Sequence, residues 1–214
     1  MNTAFLSNSR IRIATLVAVG ATALALAVAA LAQQTQEPAA NSLQIAKVTQ
    51  GGKLQKPADL ESWVFLGTSL GMGYNPGSFN AAHPGQFQVV LMEPNAYRHF
   101  VKNGSYAPGS MFLLSFYNTD QHKRSINQNG FTQADLTNYE IHLIDPSRGE
   151  DGRTFFVFGA NDIEGAPLPK GNNCVNCHVK HGAFQGTFAQ FYPTLRPLIP
   201  KEALERAAQD HDIR

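Results

Sequence analysis

The chain has 214 residues, 43% of them hydrophobic and 15% charged, and its formal net charge at pH 7 is +1. This length allows one well-buried domain, and a charge so close to zero argues against nucleic acid as a partner. The chain contains only two cysteines, both within one short motif, which excludes a scaffold held together by disulfides.

Residues 1–32 have the pattern of a secretory signal peptide. Two arginines, Arg10 and Arg12, precede an uncharged, alanine-rich run that ends in the small-x-small sequence Ala-Leu-Ala. We expect cleavage near Ala32, a periplasmic mature protein and no membrane contact after cleavage. The alternative is an uncleaved anchor, because the run is about as long as a bilayer is thick.

The pattern after the signal predicts a short lead-in followed by a sheet. Residues 33–52 are polar and without a sustained period, which predicts a flexible lead-in before a domain at residues 53–200. A helix is expected at residues 95–103, after a proline and before Gly104. Because the connections are short, we predict an α+β fold, mainly an antiparallel β-sheet with flanking helices. Five short apolar runs bounded by turn residues predict the strands: residues 63–68, 86–92, 111–117, 139–144 and 153–158.

The C-terminal part of the chain contains two further helical patterns. Four large apolar side chains recur at helical spacing: Phe184, Phe188, Phe191 and Leu195. Their spacing predicts a helix that packs an apolar face on the core and ends near Pro197. Residues 201–214 are predicted to be a polar helical tail, in which Glu202 and Arg206 are placed for an ion pair one turn apart.

Both cysteines lie in the sequence CVNCH, residues 174–178. A redox dithiol needs such a pair between a strand and a helix in a βαβ unit, and a zinc site needs a second, well-separated pair of ligands. Covalent haem attachment needs only two cysteines separated by two residues and a histidine next to the second, and the motif contains all three. Cys174 and Cys177 can add to the two vinyl groups of a porphyrin, and His178 can ligate the iron. We therefore expect one covalently attached haem c, and the export signal is consistent with it.

The residues alone leave the sixth position of the iron open. Two strong protein ligands make an electron carrier, whereas an open distal side binds small molecules. We expect His181 on the same side as His178, and most other candidates in turns or on exposed faces. Three polar side chains, Arg153, Asp162 and Glu140, could approach the pocket, but their spacing does not decide this. The candidate sixth ligands are Met72, Met92, Met111, His83, His99, His122, His142 and His181.

Four blocks of the sequence, in this order, resemble the cytochrome P-460 family, which includes the cytochromes c′-beta. The similarity extends from about Lys56 to Pro197. It implies a periplasmic, mostly β-sheet protein, usually dimeric, with one haem c, a histidine on one side of the iron and a vacant distal site. The blocks are WVFLGTS at 63–69, EPNAYRHFVKNGSYAPGS at 93–110, CVNCH at 174–178 and FAQFYPTLRP at 188–197.

The resemblance also separates two branches of that family. Its hydroxylamine-oxidising members carry a lysine bonded to the haem, and a count from Gly109 places Leu114 at that position here. Phe112, Leu114 and Phe116 share one strand face; we expect Phe116 to be sheet core and Phe112 and Leu114 to form an apolar distal cap, with Gln88 on the neighbouring strand where those members have a basic residue. The resemblance thus implies the c′-beta branch, which binds nitric oxide or a similar small molecule. Oxidation of hydroxylamine or another nitrogen oxide, and electron transfer with an unknown redox partner, remain alternatives.

Overall fold

The structure, a computed structural model, describes residues 42–73, 79–121, 129–149 and 151–210. The predicted signal peptide, the first nine residues of the predicted lead-in (33–41), the end of the predicted tail and the candidate ligand His122 lie outside these ranges. From Leu43 onward the described residues belong to one compact unit. Leu43 packs against one part of the core, and Ala46 and Val48 pack against another. No helix within the described ranges is long and apolar enough to cross a bilayer.

The described residues form one antiparallel sheet, which confirms the predicted α+β fold. Its strands are β1 (Leu54–Gln55), β2 (Val64–Leu70), β3 (Phe87–Met92), β4 (Ser110–Asp120), β5 (Thr132–Ile144), β6 (Arg153–Gly159) and β7 (Glu164–Pro167). Their order across the sheet is β1-β7-β6-β5-β4-β3-β2. The five predicted runs correspond to β2 to β6. The sequence did not predict β1 and β7, which are too short to show alternation.

Three α-helices flank the sheet within the described ranges. They are α1 (Pro94–Asn103), α2 (Asn173–His181) and α3 (Lys201–Gln209). α1 begins at a proline, its preceding Glu93 accepts a hydrogen bond from the Ala96 backbone N–H (2.6 Å), and Gly104 ends it in a left-handed conformation. Short 3₁₀ turns lie at Leu60–Ser62, Ala189–Phe191 and Arg196–Leu198.

The helix predicted from apolar spacing over residues 184–195 is wrong. Gln185 and Gly186 both have positive φ, 47° and 69°, and an α-helix cannot continue through two left-handed residues. The segment instead makes two single 3₁₀ turns, at Ala189–Phe191 and Arg196–Leu198. Of the four apolar residues, Leu195 is buried in the core and Phe184 packs against it, whereas Phe191 is 50% exposed, so the spacing corresponds neither to a helix nor to one buried face.

The predicted ion pair in the C-terminal helix is also wrong. Arg206 Nη1 donates to the backbone carbonyl of Glu202 (3.3 Å), and the ion pair on this helix joins Lys201 Nζ to Glu205 Oε1 (3.3 Å). The helix ends at Gln209, earlier than the predicted tail.

Alternate residues of each strand pack on opposite faces of the sheet. The core accordingly divides into two clusters. The first lies between one face, α1 and the C-terminal segment, and includes Met92, Phe100, Phe112, Leu195 and Ala203. The second lies on the other face and includes Trp63, Met111, Leu113, Tyr139 and Phe156. Consecutive residues of β4 thus belong to different clusters.

The C-terminal segment packs across the edge strand β2 at Gly67. A Cβ added to this glycine would lie 3.1 Å from Pro193 Cδ, so a side chain there would press on the segment. Thr194 Oγ1 donates to the Phe65 carbonyl (2.9 Å) beside this contact. The first and last sequence blocks of the family resemblance therefore touch each other.

Replacement of Gly165 by alanine should destabilise the second core cluster. An added Cβ would lie 2.3 Å from the Phe158 ring, which is fully buried, and overpacking of this kind costs about 1–3 kcal/mol. Urea denaturation would measure the loss of unfolding free energy. Gly51→Ala is the control, because its nearest neighbour would be Thr49 Oγ1 at 3.8 Å. Equal stability of the two variants would contradict this packing.

Candidate functional site

The CVNCH motif forms most of α2. The Asn172 side chain caps the helix by accepting from the Val175 backbone N–H (3.2 Å). In a helix, residues three and four positions apart lie on the same face, so Cys174, Cys177 and His178 point to one side. Both thiols are partly exposed and neither is in a disulfide. The helix therefore presents two sulfur atoms and one imidazole together.

The imidazole of His178 is held in a defined tautomer. Its Nδ1 lies 2.8 Å from the Gly186 carbonyl oxygen, which can only accept, so Nδ1 carries the proton and Nε2 keeps its lone pair. Burial, together with a smaller effect of the Arg153 charge, lowers the pKa of His178 to about 4 although the Gly186 bond opposes this. The ring is thus neutral near pH 7, which is the form that binds a metal ion.

The loop that supplies the Gly186 carbonyl is fixed by Tyr106. The hydroxyl of Tyr106 donates to Thr187 Oγ1 (3.0 Å), which in turn donates to the Phe184 carbonyl (2.9 Å). The Tyr106 backbone N–H also donates to Gln185 Oε1 (2.9 Å). Burial raises the pKa of Tyr106 to about 12, so this hydroxyl remains a donor.

Aromatic rings surround His178. Its ring centre lies 4.5 Å from that of Phe188, 4.8 Å from Phe155 and 4.9 Å from His142. Phe112, His142 and Phe155 are direct cross-strand neighbours on β4, β5 and β6. These contacts place α2 on the sheet face that carries Phe112.

His142 departs from the expectation that most candidate histidines occupy turns or exposed faces. It is only 7% exposed and lies between Phe112 and Phe155, with ring centres 5.8 Å and 4.3 Å away. Burial holds its pKa well below the usual value of 6.5, and its Nε2 has no hydrogen-bond partner. The alternation of its strand gave no sign of this burial, because Glu140 lies on the same face.

The other candidate sixth ligands have different positions. Met92 and Met111 are fully buried in different core clusters, and Met72 is 51% exposed. His181 is paired through Nδ1 with Asp210 Oδ2 at 2.5 Å. His83 is exposed, and His99 lies partly buried on α1.

A half-exposed strip of the sheet lies on the same face as these aromatic rings. It consists of one row of cross-strand neighbours: Val90, Leu114, Glu140 and Val157. Each is partly exposed, whereas Phe112, His142 and Phe155 in the next row are buried. A row of three apolar residues and one carboxyl, left partly open beside the sulfur and imidazole groups, is a surface that a flat apolar group could cover.

The three residues predicted to border the distal pocket share this face. Leu114 belongs to the half-exposed strip, and Phe112 is buried next to His142. Gln88 lies one row further, opposite Phe116. Its side chain is held at both ends, because Oε1 accepts from Ser69 Oγ (2.9 Å) and Nε2 donates to the Met72 carbonyl (3.0 Å).

Of the three polar residues that the sequence left undecided, the structure places two at the site. Glu140 is paired with Leu114, and its charge contributes, after burial, to a raised pKa of the Cys174 thiol. Burial also raises the pKa of Glu140 itself. Arg153 lies against Gly186. Asp162 instead accepts a hydrogen bond from the Gly159 backbone N–H (2.7 Å) in the turn after β6.

The donor groups fit covalent haem better than zinc. Within the described ranges, no group of three or more His, Cys, Asp or Glu side chains could hold a metal ion. Two thiols and one neutral imidazole with a free Nε2, next to an apolar strip, match the requirements of haem c. Cys174, Cys177 and His178 would hold it.

This combination of fold and site defines a haem-binding cytochrome. The sequence model of the family Cytochrome P460 matches residues 57–189, which is more than half of the chain. The chain therefore belongs to the cytochrome P460 family and is a c-type haem protein. A search among curated proteins finds no match. The match includes the sheet strands from β2 to β7 and all of α2.

Replacement of Tyr106 by phenylalanine should lower the free energy of unfolding by about 1 kcal/mol, because it removes one buried hydrogen bond to Thr187. Urea denaturation would measure the change. Tyr97→Phe is the matched control, since Tyr97 is only partly buried and lies on the nearby helix α1. A Tyr106 variant as stable as the Tyr97 variant would show that the bond does not hold the loop.

Proposed function

We propose that this protein is an exported cytochrome with one haem c, attached through Cys174 and Cys177 and ligated by His178, that binds nitric oxide or a similar small uncharged molecule. The half-exposed strip carries this proposal, because three of its four residues, Val90, Leu114 and Val157, offer no hydrogen bond and no charge beside the motif. In the family resemblance, an apolar residue at the Leu114 position distinguishes the binding branch from the hydroxylamine-oxidising one.

Several residues around His178 would each have a distinct role at the haem site. The Gly186 carbonyl orients His178 and fixes its tautomer. The rings of Phe155 and Phe188 pack against the imidazole, exclude water from it and lower the local dielectric. The haem, when bound, supplies an iron with one position for an external ligand.

Export and assembly are further parts of this proposal. Covalent attachment through two thioether bonds would prevent loss of the cofactor in the periplasm, which fits the signal pattern of residues 1–32. The resemblance to cytochromes P-460 supports a homodimer.

The absorption spectrum of the periplasmically matured protein tests this function. We expect a high-spin reduced spectrum that changes when nitric oxide is added, because no protein side chain would occupy the distal position. A low-spin spectrum that does not respond to the gas would refute gas binding and favour electron transfer.

The variant Leu114→Ala should bind nitric oxide severalfold faster than the wild type, because the truncated side chain opens the strip. Stopped-flow absorption would measure the rate. Leu113→Ala is the matched control: it lies next to Leu114 but points into the second core cluster. It should lose about 2–5 kcal/mol of stability and keep the wild-type binding rate. Equal rates in both variants would place the ligand away from Leu114.

One observation favours a second function, the oxidation of hydroxylamine or a related nitrogen compound. Proton-coupled oxidation requires a titratable group near the reacting molecule. Glu140 is such a group, since it lies within the half-exposed strip beside Leu114 and burial raises its pKa. A carboxyl with a raised pKa can exchange a proton closer to neutral pH.

Hydroxylamine turnover with an added artificial electron acceptor distinguishes the two functions. If Glu140 acts as the base, Glu140→Gln should lower the turnover rate by about 10²- to 10⁴-fold. Asp135→Asn makes the same carboxyl-to-amide change at an exposed position of β5 and should leave the rate unchanged. If the wild-type protein binds nitric oxide but does not turn over hydroxylamine, the binding function alone remains.

A further inference from the structure

We propose that Arg153 is a positioning residue for the iron ligand: it fixes the loop carbonyl that orients His178, and its charge raises the reduction potential of the iron. This inference rests on the proposed role of His178 as that ligand. It concerns a residue that neither the motif nor the family resemblance assigns to the site.

Arg153 lies on the same sheet face as the site. It is the first residue of β6, two positions before Phe155, and residues two apart in a strand share a face. The Phe155 ring centre is 4.8 Å from that of His178. Arg153 therefore begins the strand that packs directly against the imidazole.

The side chain of Arg153 is partly buried, and its guanidinium is incompletely satisfied. Its Nη1 donates to the Asp151 carbonyl (2.9 Å). Its Nε is fully buried and has no hydrogen-bond partner. Burying a donor without a partner costs about 1–3 kcal/mol, so a position that keeps such a group requires a compensating interaction. The residue that packs against the guanidinium provides this interaction.

That neighbouring group is Gly186. A Cβ added to this glycine would lie 2.2 Å from Arg153 Nε and 2.5 Å from its Cζ, so the guanidinium packs directly on the glycine Cα. Gly186 also has a φ of +69°, which disfavours any side chain. The carbonyl of the same residue accepts the hydrogen bond from His178 Nδ1 (2.8 Å). Guanidinium, glycine and imidazole therefore form one continuous series of contacts.

Two consequences follow from this series. The planar guanidinium limits how far Gly186 can move, and so keeps its carbonyl in line with Nδ1. Its positive charge, on a partly buried side chain, opposes further positive charge at the ligated iron. A nearby cation thus favours the ferrous over the ferric form, and outer groups of this kind tune metal sites.

The test uses the mature haem-loaded protein and two variants, Arg153→Met and Arg153→Lys. Arg153→Met removes both the charge and the planar group, so we expect a lower reduction potential and a shifted iron–histidine stretching band. Arg153→Lys keeps the charge but not the planar group. We expect its potential to stay near the wild-type value while its stretching band shifts. Spectroelectrochemistry measures the potential, and resonance Raman spectroscopy of the reduced protein measures the band.

Arg148→Met is the matched control. Arg148 lies in the turn before β6 with its side chain 49% exposed and paired with Asp145 (3.2 Å), so its removal makes the same change in net charge at the surface. It should change neither readout. A purely structural role of Arg153 would lower stability in both Arg153 variants without the difference in potential between them.

The outcomes separate this inference from the proposed function. A wild-type protein whose reduced haem is high-spin but shows no iron–histidine band would refute His178 as the ligand, and the role of Arg153 with it. A wild-type protein with that band, together with an Arg153→Met variant of unchanged potential and band, would overturn the role of Arg153 alone. If Arg153→Met does not fold, an Arg153→Lys variant with an unshifted band would overturn it equally.

Discussion

The hydrogen bond from His178 Nδ1 to the Gly186 carbonyl is the interaction on which the site depends. It fixes the tautomer, leaves Nε2 free and joins the last part of α2 to the loop that follows. The loop can make this bond because two consecutive residues, Gln185 and Gly186, are left-handed and turn the chain back toward the helix. The same two residues end any helix there. A regular helix at this point would have lost the carbonyl that the imidazole needs.

The sheet places this loop through contacts that are distant in sequence. Tyr106, which follows α1, bonds to Thr187 and Gln185. Pro193, beyond the loop, packs on Gly67 of β2. The segments that carry the family resemblance are thus in contact around one loop. Apart from CVNCH, these segments are spaced along the chain as their packing requires, and they are not separate functional motifs.

The sequence predicted the features that depend on local residue patterns. It missed those that depend on which strands pair and in which register. Five strands and α1 were found because apolar runs, prolines and glycines mark them. The cysteine motif was recognised from its own five residues, without knowledge of the fold. His142 and Glu140, in contrast, reach the site because β5 pairs with β4 in a particular register. Since a shift of one residue would turn both side chains to the other face, no single-strand pattern could place them.

The two proposed functions differ in the state of one carboxyl group. The strip beside the motif is apolar except for Glu140, whose pKa burial raises. When that carboxyl is neutral, the strip carries no charge and resembles a pocket for an uncharged gas. When it is ionised, it can accept a proton from a bound nitrogen compound. A bulky group covering the strip would remove water from Glu140 and favour the neutral form further. A neutral Glu140 cannot act as the base that oxidation requires. Coverage of the strip by a bulky group therefore supports the proposed ligand binding over oxidation.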